Sequence, residues 1–145
     1  MSKITDLTKQ APRSPRQRIG NYVVLARALD KGRAMVHGHG GDYHFDCPLD
    51  NMLFSFKDVK GVQIKELLEE GRSDEQIVEW LDKHGAEKTP EEVKQWASGL
   101  EAARPYENPE RKEWFAGECA KLGLDPANTT LFDWLEADDK ASFPK

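Results

Sequence analysis

Helix start and stop signals alternate down most of this chain, and they leave room for short helices and little else. Pro48 follows Cys47 and suits a first helical position, opening an apolar-periodic stretch through Leu49, Leu53, Phe54 and Phe56. Val62, Ile64, Leu67 and Leu68 repeat the pattern as far as Gly71. S-D-E-Q at Ser73–Gln76 reads as a capping box, in which the serine hydroxyl and the glutamine side chain each satisfy a free backbone N–H. The helix it opens carries Ile77, Val78, Trp80 and Leu81 and closes at Gly85. T-P-E-E at Thr89–Glu92 is a second box, leading Val93, Trp96, Ala97, Leu100 and Ala103 to a stop before Pro105. Asn108-Pro109 starts a further helix through Trp114, Phe115, Cys119 and Leu122, ended by Gly123. Asn128 or Thr129 opens a last one with Leu131, Phe132, Trp134 and Leu135. Nearer the N-terminus, Tyr22, Val23, Ala26 and Leu29 are helically spaced after a start at Asn21. Gly32 either ends that helix or weakens it by ~1 kcal/mol relative to alanine. The fold class this predicts is mainly α, a compact bundle of six or seven short helices.

Two segments break the helical pattern. In Ala34–Asp46, Gly40-Gly41 can supply the two positive φ angles of a type I′ turn, so a β-hairpin is expected near residues 34–46. Alternation then places Val36, Tyr43 and Phe45 on one face, and His37, His39, Asp42 and His44 on the other. Residues 1–18 have no apolar periodicity and hold Pro12 and Pro15, each of which disfavours helix in the residue before it. They read as an extended basic arm. The helical core then spans 19–136, and 137–145 is expected to fray as an acidic tail.

A chain of 145 residues is the size of one domain, here taken as 1–145, and needs no metal or disulfide to build a core. Four Trp, six Phe and three Tyr supply anchors, and Trp80, Trp96, Trp114 and Trp134 fall one per expected helix. No apolar run approaches the ~20 residues of a membrane span. Cys47 and Cys119 are far apart and form no C-x-x-C pair, which suits a reduced, cytoplasmic protein.

The formal charge of −5 is unevenly spread. Residues 1–36 hold eight Lys/Arg against Asp6 and Asp30, a balance of +6, which leaves −11 for the remainder. A basic segment on an acidic chain fits packing against the protein's own carboxylates better than nucleic-acid binding, which wants an unopposed basic face.

Three groups could carry chemistry. His37, His39, His44, Asp46 and Cys47 are metal-ligand types in a short stretch, but their spacing matches no zinc signature, so no metal is expected. Cys47 precedes Pro48 at a helix N-terminus with His44 near in sequence, which makes His44 and Cys47 the catalytic candidates. Arg13, Arg16 and Arg18 surround two stiffening prolines, and a guanidinium fork suits a carboxylate or phosphate. They bind either an anionic ligand or carboxylates of this chain such as Asp50, Asp138 or Asp139. No nucleotide, zinc-protease, hydrolase or calcium-loop motif is present, and no cofactor is expected.

D-L-T-K-Q-A-P-R-S-P-R at Asp6–Arg16, L-D-K-G-R-A at Leu29–Ala34 and Y-H-F-D-C-P-L-D at Tyr43–Asp50 together resemble a small bacterial family classed as a domain of unknown function. The resemblance implies no activity. It directs attention to Arg13, Arg16, Tyr43, His44, Cys47 and Asp50, and away from His37 and His39. The ligand-binding candidates are therefore Arg13, Arg16, Arg18, Tyr43 and Asp50. The function read from sequence is that of a cytoplasmic, non-catalytic binding or interaction protein, with a small anion or a protein as partner. The alternative is a small enzyme with its site between the arginine arm and Tyr43–Asp50. A pocket uniting His44, Cys47 and an arginine favours the enzyme.

Overall fold

A computed structural model describes residues 4–143, and residues 1–3 and 144–145 of the expected arm and tail lie outside the described residues. Among those described there are seven α-helices and no strand. They are α1 (Leu25–Val36), α2 (Pro48–Phe56), α3 (Gly61–Glu69), α4 (Asp74–Lys83), α5 (Pro90–Glu101), α6 (Lys112–Lys121) and α7 (Leu131–Ser142). Single 3₁₀ turns at Pro105–Glu107 and Pro126–Asn128 flank α6.

The capping chemistry operates at the atomic level. Ser73 and Thr89 hydroxyls accept from the N–H groups of Gln76 and Glu92, whose side chains accept in return. Thr130 does the same for α7 with Asp133, one or two residues after the start expected at Asn128 or Thr129. Gly71 and Gly123, with φ of 77° and 70°, turn the chain at the ends of α3 and α6.

α1 is the centre of the packing. Every residue from Leu25 to Ala34 is buried, including Arg27, Asp30, Lys31 and Arg33. One side of the core joins Leu25 and Leu29 to Phe54, Ile64, Ile77 and Leu81. A second cluster joins Val23 and Val24 to Ala97, Leu131 and Phe132, and Trp96 packs against both. Gly32 does not end α1, which runs on to Val36. It sits where a Cβ would collide with Leu68 and Phe45, so glycine lets α3 and the following loop close on α1.

The expected hairpin is corrected. α1 continues through Val36 and ends in a turn whose Gly38 has φ 77°. His39 N–H returns to the Ala34 carbonyl at 2.7 Å and Gly38 N–H to Met35 at 3.2 Å, the two bonds of a Schellman motif. A helix terminus therefore captures the residues that strand pairing needed. Residues 37–46 form an irregular strap. Gly41 is left-handed, at φ 57°, and lies against the arm, where a Cβ would stand 2.7 Å from the Leu7 carbonyl oxygen. The type I′ geometry occurs instead at Gly20-Asn21, with φ of 58° and 72°. Ile19 and Tyr22 exchange both backbone bonds across it, at 3.1 and 3.0 Å.

The arm packs on the core. Leu7 is buried and its N–H donates to the His39 carbonyl at 2.9 Å. Pro15 accepts from Val24 N–H at 2.8 Å, which holds a fully buried valine at φ 72°, a costly conformation for a β-branched residue. The tail expectation is also corrected. Residues 137–142 are helical, and Asp139 is buried because Arg27 holds it.

Candidate functional site

Arg27 and Lys31 lie one helical turn apart on α1, so both side chains leave the helix on one face. Each carries its own carboxylate. Arg27 donates to both oxygens of Asp139 on α7, at 2.7 and 3.0 Å, and Tyr43 O–H donates to the same carboxylate at 2.9 Å. Burial opposes the charge on Arg27, but Asp139 outweighs it and holds its pKa above the ordinary value. Burial, with the Asp139 charge, likewise pushes the Tyr43 phenol up.

Lys31 Nζ stands 2.9 Å from Asp50 Oδ1, an ion pair with side chains 5% and 0% exposed. The approach is off-line for hydrogen bonding, because Asp50 Oδ1 has no hydrogen-bond partner among the described residues. Its other oxygen accepts from Asp46 N–H at 2.9 Å. Lys31 donates to Cys47 Sγ at 3.2 Å. Cys47 is half-buried at the N-cap of α2, with Pro48 in the first turn.

These groups surround an open pocket of about 380 Å³. Its polar lining is Arg27, Lys31, Asp42, Tyr43, His44, Cys47, Asp138 and Ser142. Leu7, Leu49, Trp134, Leu135 and Phe143 form its apolar walls. Burial raises the Asp138 carboxyl above its ordinary value, reinforced by Asp139 and Glu118. Both cations arrive neutralised, so the pocket offers directed hydrogen bonds and a thiol rather than bare positive charge.

Of the residues singled out in the sequence, Tyr43, His44 and Cys47 meet here. Asp50 is fully buried behind its ion pair. The arm's arginines go elsewhere. Arg13 bridges Asp30 and Asp74 at 3.0 and 2.9 Å, Arg16 bridges Asp133 and Glu136 at 2.8 and 3.0 Å, and Arg18 meets Glu101 at 2.5 Å. The chain thus supplies their carboxylates, though not from Asp50, Asp138 or Asp139. His37 and His39 are exposed on the strap, and the described residues contain no cluster of three or more His, Cys, Asp or Glu placed to hold a metal.

Arg27 and Lys31 escape the sequence reading, although a signal exists. The signal is their i, i+4 spacing: opposite Leu25, Ala28 and Leu29 it marks a polar stripe, and each cation needs a partner once tertiary packing covers that face. The α7 contributors leave no such mark.

Fold and pocket together define a small helical protein with an amphipathic pocket wedged between α1, the strap and α7. A family model described as Domain of unknown function (DUF5069) matches residues 9–141, and the chain belongs to that family. The matched range includes Arg13, Arg16 and Tyr43–Asp50 and begins after Asp6–Thr8. No curated protein matches the chain. No described helix is long and apolar enough to cross a membrane.

Proposed function

We propose that this protein binds a small, partly apolar organic molecule in the pocket over Lys31 and Cys47. The observation that carries the reading is convergence. The arm, α1, the strap, α2 and α7 all contribute to one space of about 380 Å³, inside the ~300–1,000 Å³ range of small-molecule sites. Because Arg27 and Lys31 already hold carboxylates, a neutral or weakly charged head group suits the pocket better than a strong anion. Leu135→Trp should fill the space. In a thermal-shift screen of neutral, acidic and amine-bearing fragments, ligands that raise the wild-type Tm should lose their effect on that variant. A screen without hits, or hits that survive Leu135→Trp, would overturn the reading.

A second reading, thiol-dependent catalysis, is favoured by Cys47, His44 and Arg27 sharing the pocket. Cys119 provides an internal control, being fully buried with its thiol pushed up by burial. Iodoacetamide should alkylate native Cys47 well before Cys119, and Leu135→Trp should slow that reaction. Equal protection of the two thiols in mass spectra removes the catalytic reading and leaves binding. The proposal takes residues 1–145 as one domain of the cytoplasm, a compartment that suits two unpaired cysteines.

A further inference from the structure

A second lysine is buried away from that pocket, and among the described residues its charge meets no carboxylate. Lys57 caps α2, and the loop after α4 clamps its backbone. Ala86 N–H donates to the Lys57 carbonyl at 2.6 Å, and Gly85 at φ 77° passes so close that a Cβ would collide with that carbonyl. The side chain is covered, with the residue 2% exposed. An ammonium carries three N–H donors. One goes to the Ala86 carbonyl at 2.8 Å, and among the described residues no carboxylate lies within ion-pair reach. The buried cations Arg27, Lys31 and Arg33 all have such a partner. Burial pushes the Lys57 amine below its ordinary value, with Asp82 and Glu87 opposing and Lys88 adding to the effect.

Lys57 lines a separate cavity of about 200 Å³, with Tyr22, Asp82, Lys88 and the Gly20-Asn21 turn. Asp82 is engaged by Tyr22, whose O–H donates to it at 2.9 Å. Lys88 is half-buried with its ammonium 4.8 Å above the Phe56 ring, a contact that leaves its N–H donors free for an acceptor. The volume admits roughly six water-sized groups. Two lysines with spare donors therefore face one small, preformed space.

We propose that this cavity binds a small oxyanion group, a carboxylate or a phosphate, between Lys57 and Lys88. The site is independent of the pocket over Cys47, and each proposal can fail alone.

The test is an NMR titration of the full-length protein, following lysine Cε resonances with inorganic phosphate and, separately, acetate at constant ionic strength. A saturable shift confined to Lys57 and Lys88 with either anion supports the site. Acetate alone identifies a carboxylate, and phosphate alone identifies a phosphate. Lys88→Gln should weaken the effective anion about tenfold, and Lys57→Met should abolish the response. Lys88 makes no ion pair among the described residues, so Lys88→Gln decides the matter even if Lys57→Met does not fold. No saturable shift at Lys57 with either anion, or undiminished affinity in Lys88→Gln, would overturn the proposal.

Discussion

Lys31 and Lys57 are buried to nearly the same degree, 4% and 2% exposed, yet the fold treats their charges in opposite ways. Around Lys31 it assembles Asp50, Cys47 and the first turn of α2. Around Lys57 it provides one backbone carbonyl and a cavity. Burying an ammonium costs several kcal/mol in desolvation, and a carboxylate in contact offsets much of it. The contrast separates a charge that serves the fold from one left for something else to meet.

The largest expected effect is at the paired site. Lys31→Met leaves Asp50 fully buried without its cation and should cost ~3–5 kcal/mol in urea unfolding. Adding Asp50→Leu should recover part of that loss, since the stranded charge goes too. A single variant as stable as the double one would break the comparison.

Arg13 tests the same rule at intermediate burial. Its guanidinium is 30% exposed but reaches Asp30, which is 6% exposed. Arg13→Gln should cost ~1–2 kcal/mol, between a shielded charged hydrogen bond and an exposed ion pair. Arg16→Gln and Arg18→Gln should each stay within ~1 kcal/mol, their pairs being open to solvent. Equal losses at all three would show that burial is not what ranks them.

Acid should act through these pairs. Burial alone would raise the Asp74 carboxyl, but hydrogen bonds from Arg13 and Arg33 hold it below its ordinary value. It therefore stabilises the fold above that ordinary value, and the contribution disappears as pH falls through the lower folded one. The acid limb of stability against pH should be shallower in Arg13→Gln than in wild type.

The smallest effect is expected at Lys57. Lys57→Met loses one hydrogen bond but relieves an unpartnered charge, so stability at neutral pH should change by no more than ~1 kcal/mol. Its signature is alkaline. The folded amine releases its proton below the ordinary lysine value, so between the two the unfolded chain binds more protons and stability rises with pH. Relative to wild type, Lys57→Met should lack that rise. A loss as large as that of Lys31→Met would mean that Lys57 too is structural.

The two glycine pairs show where sequence reading reaches its limit. Gly40-Gly41 and Gly20-Asn21 both carry the composition of a type I′ turn, and only the second forms one. Gly38 completes the C-terminus of α1, so the first pair has no strand on its N-terminal side. Gly32 illustrates the same limit, since its role depends on Leu68 and Phe45 arriving from other elements. In the site, His44 and Cys47 were legible from residue type and close spacing, and Tyr43 only through the resemblance carried by Tyr43–Asp50. Arg27 and Lys31 were legible only as charges, Leu135 only as a helix position and Asp138 only as a carboxylate offered to the arm.

Local chemistry determined the starts of α2, α4 and α5 and the end of α3 by itself. Capping boxes at Ser73 and Thr89, Pro48 in a first turn and Gly71 at a terminus act within a few residues, so the chain carries that information next to where it is used. The basic excess of the first 36 residues also announced that carboxylates would be needed. Which carboxylates answered was a tertiary decision. Asp74, Glu101, Asp133 and Glu136 are far along the chain from the arginines they hold, and Asp139 is far from Arg27. Only packing of α4, α5 and α7 around the arm and α1 brings them within reach. The same packing decided that Lys31 would be paired and Lys57 would not, because burial removes water from both lysines and a partner arrives for just one.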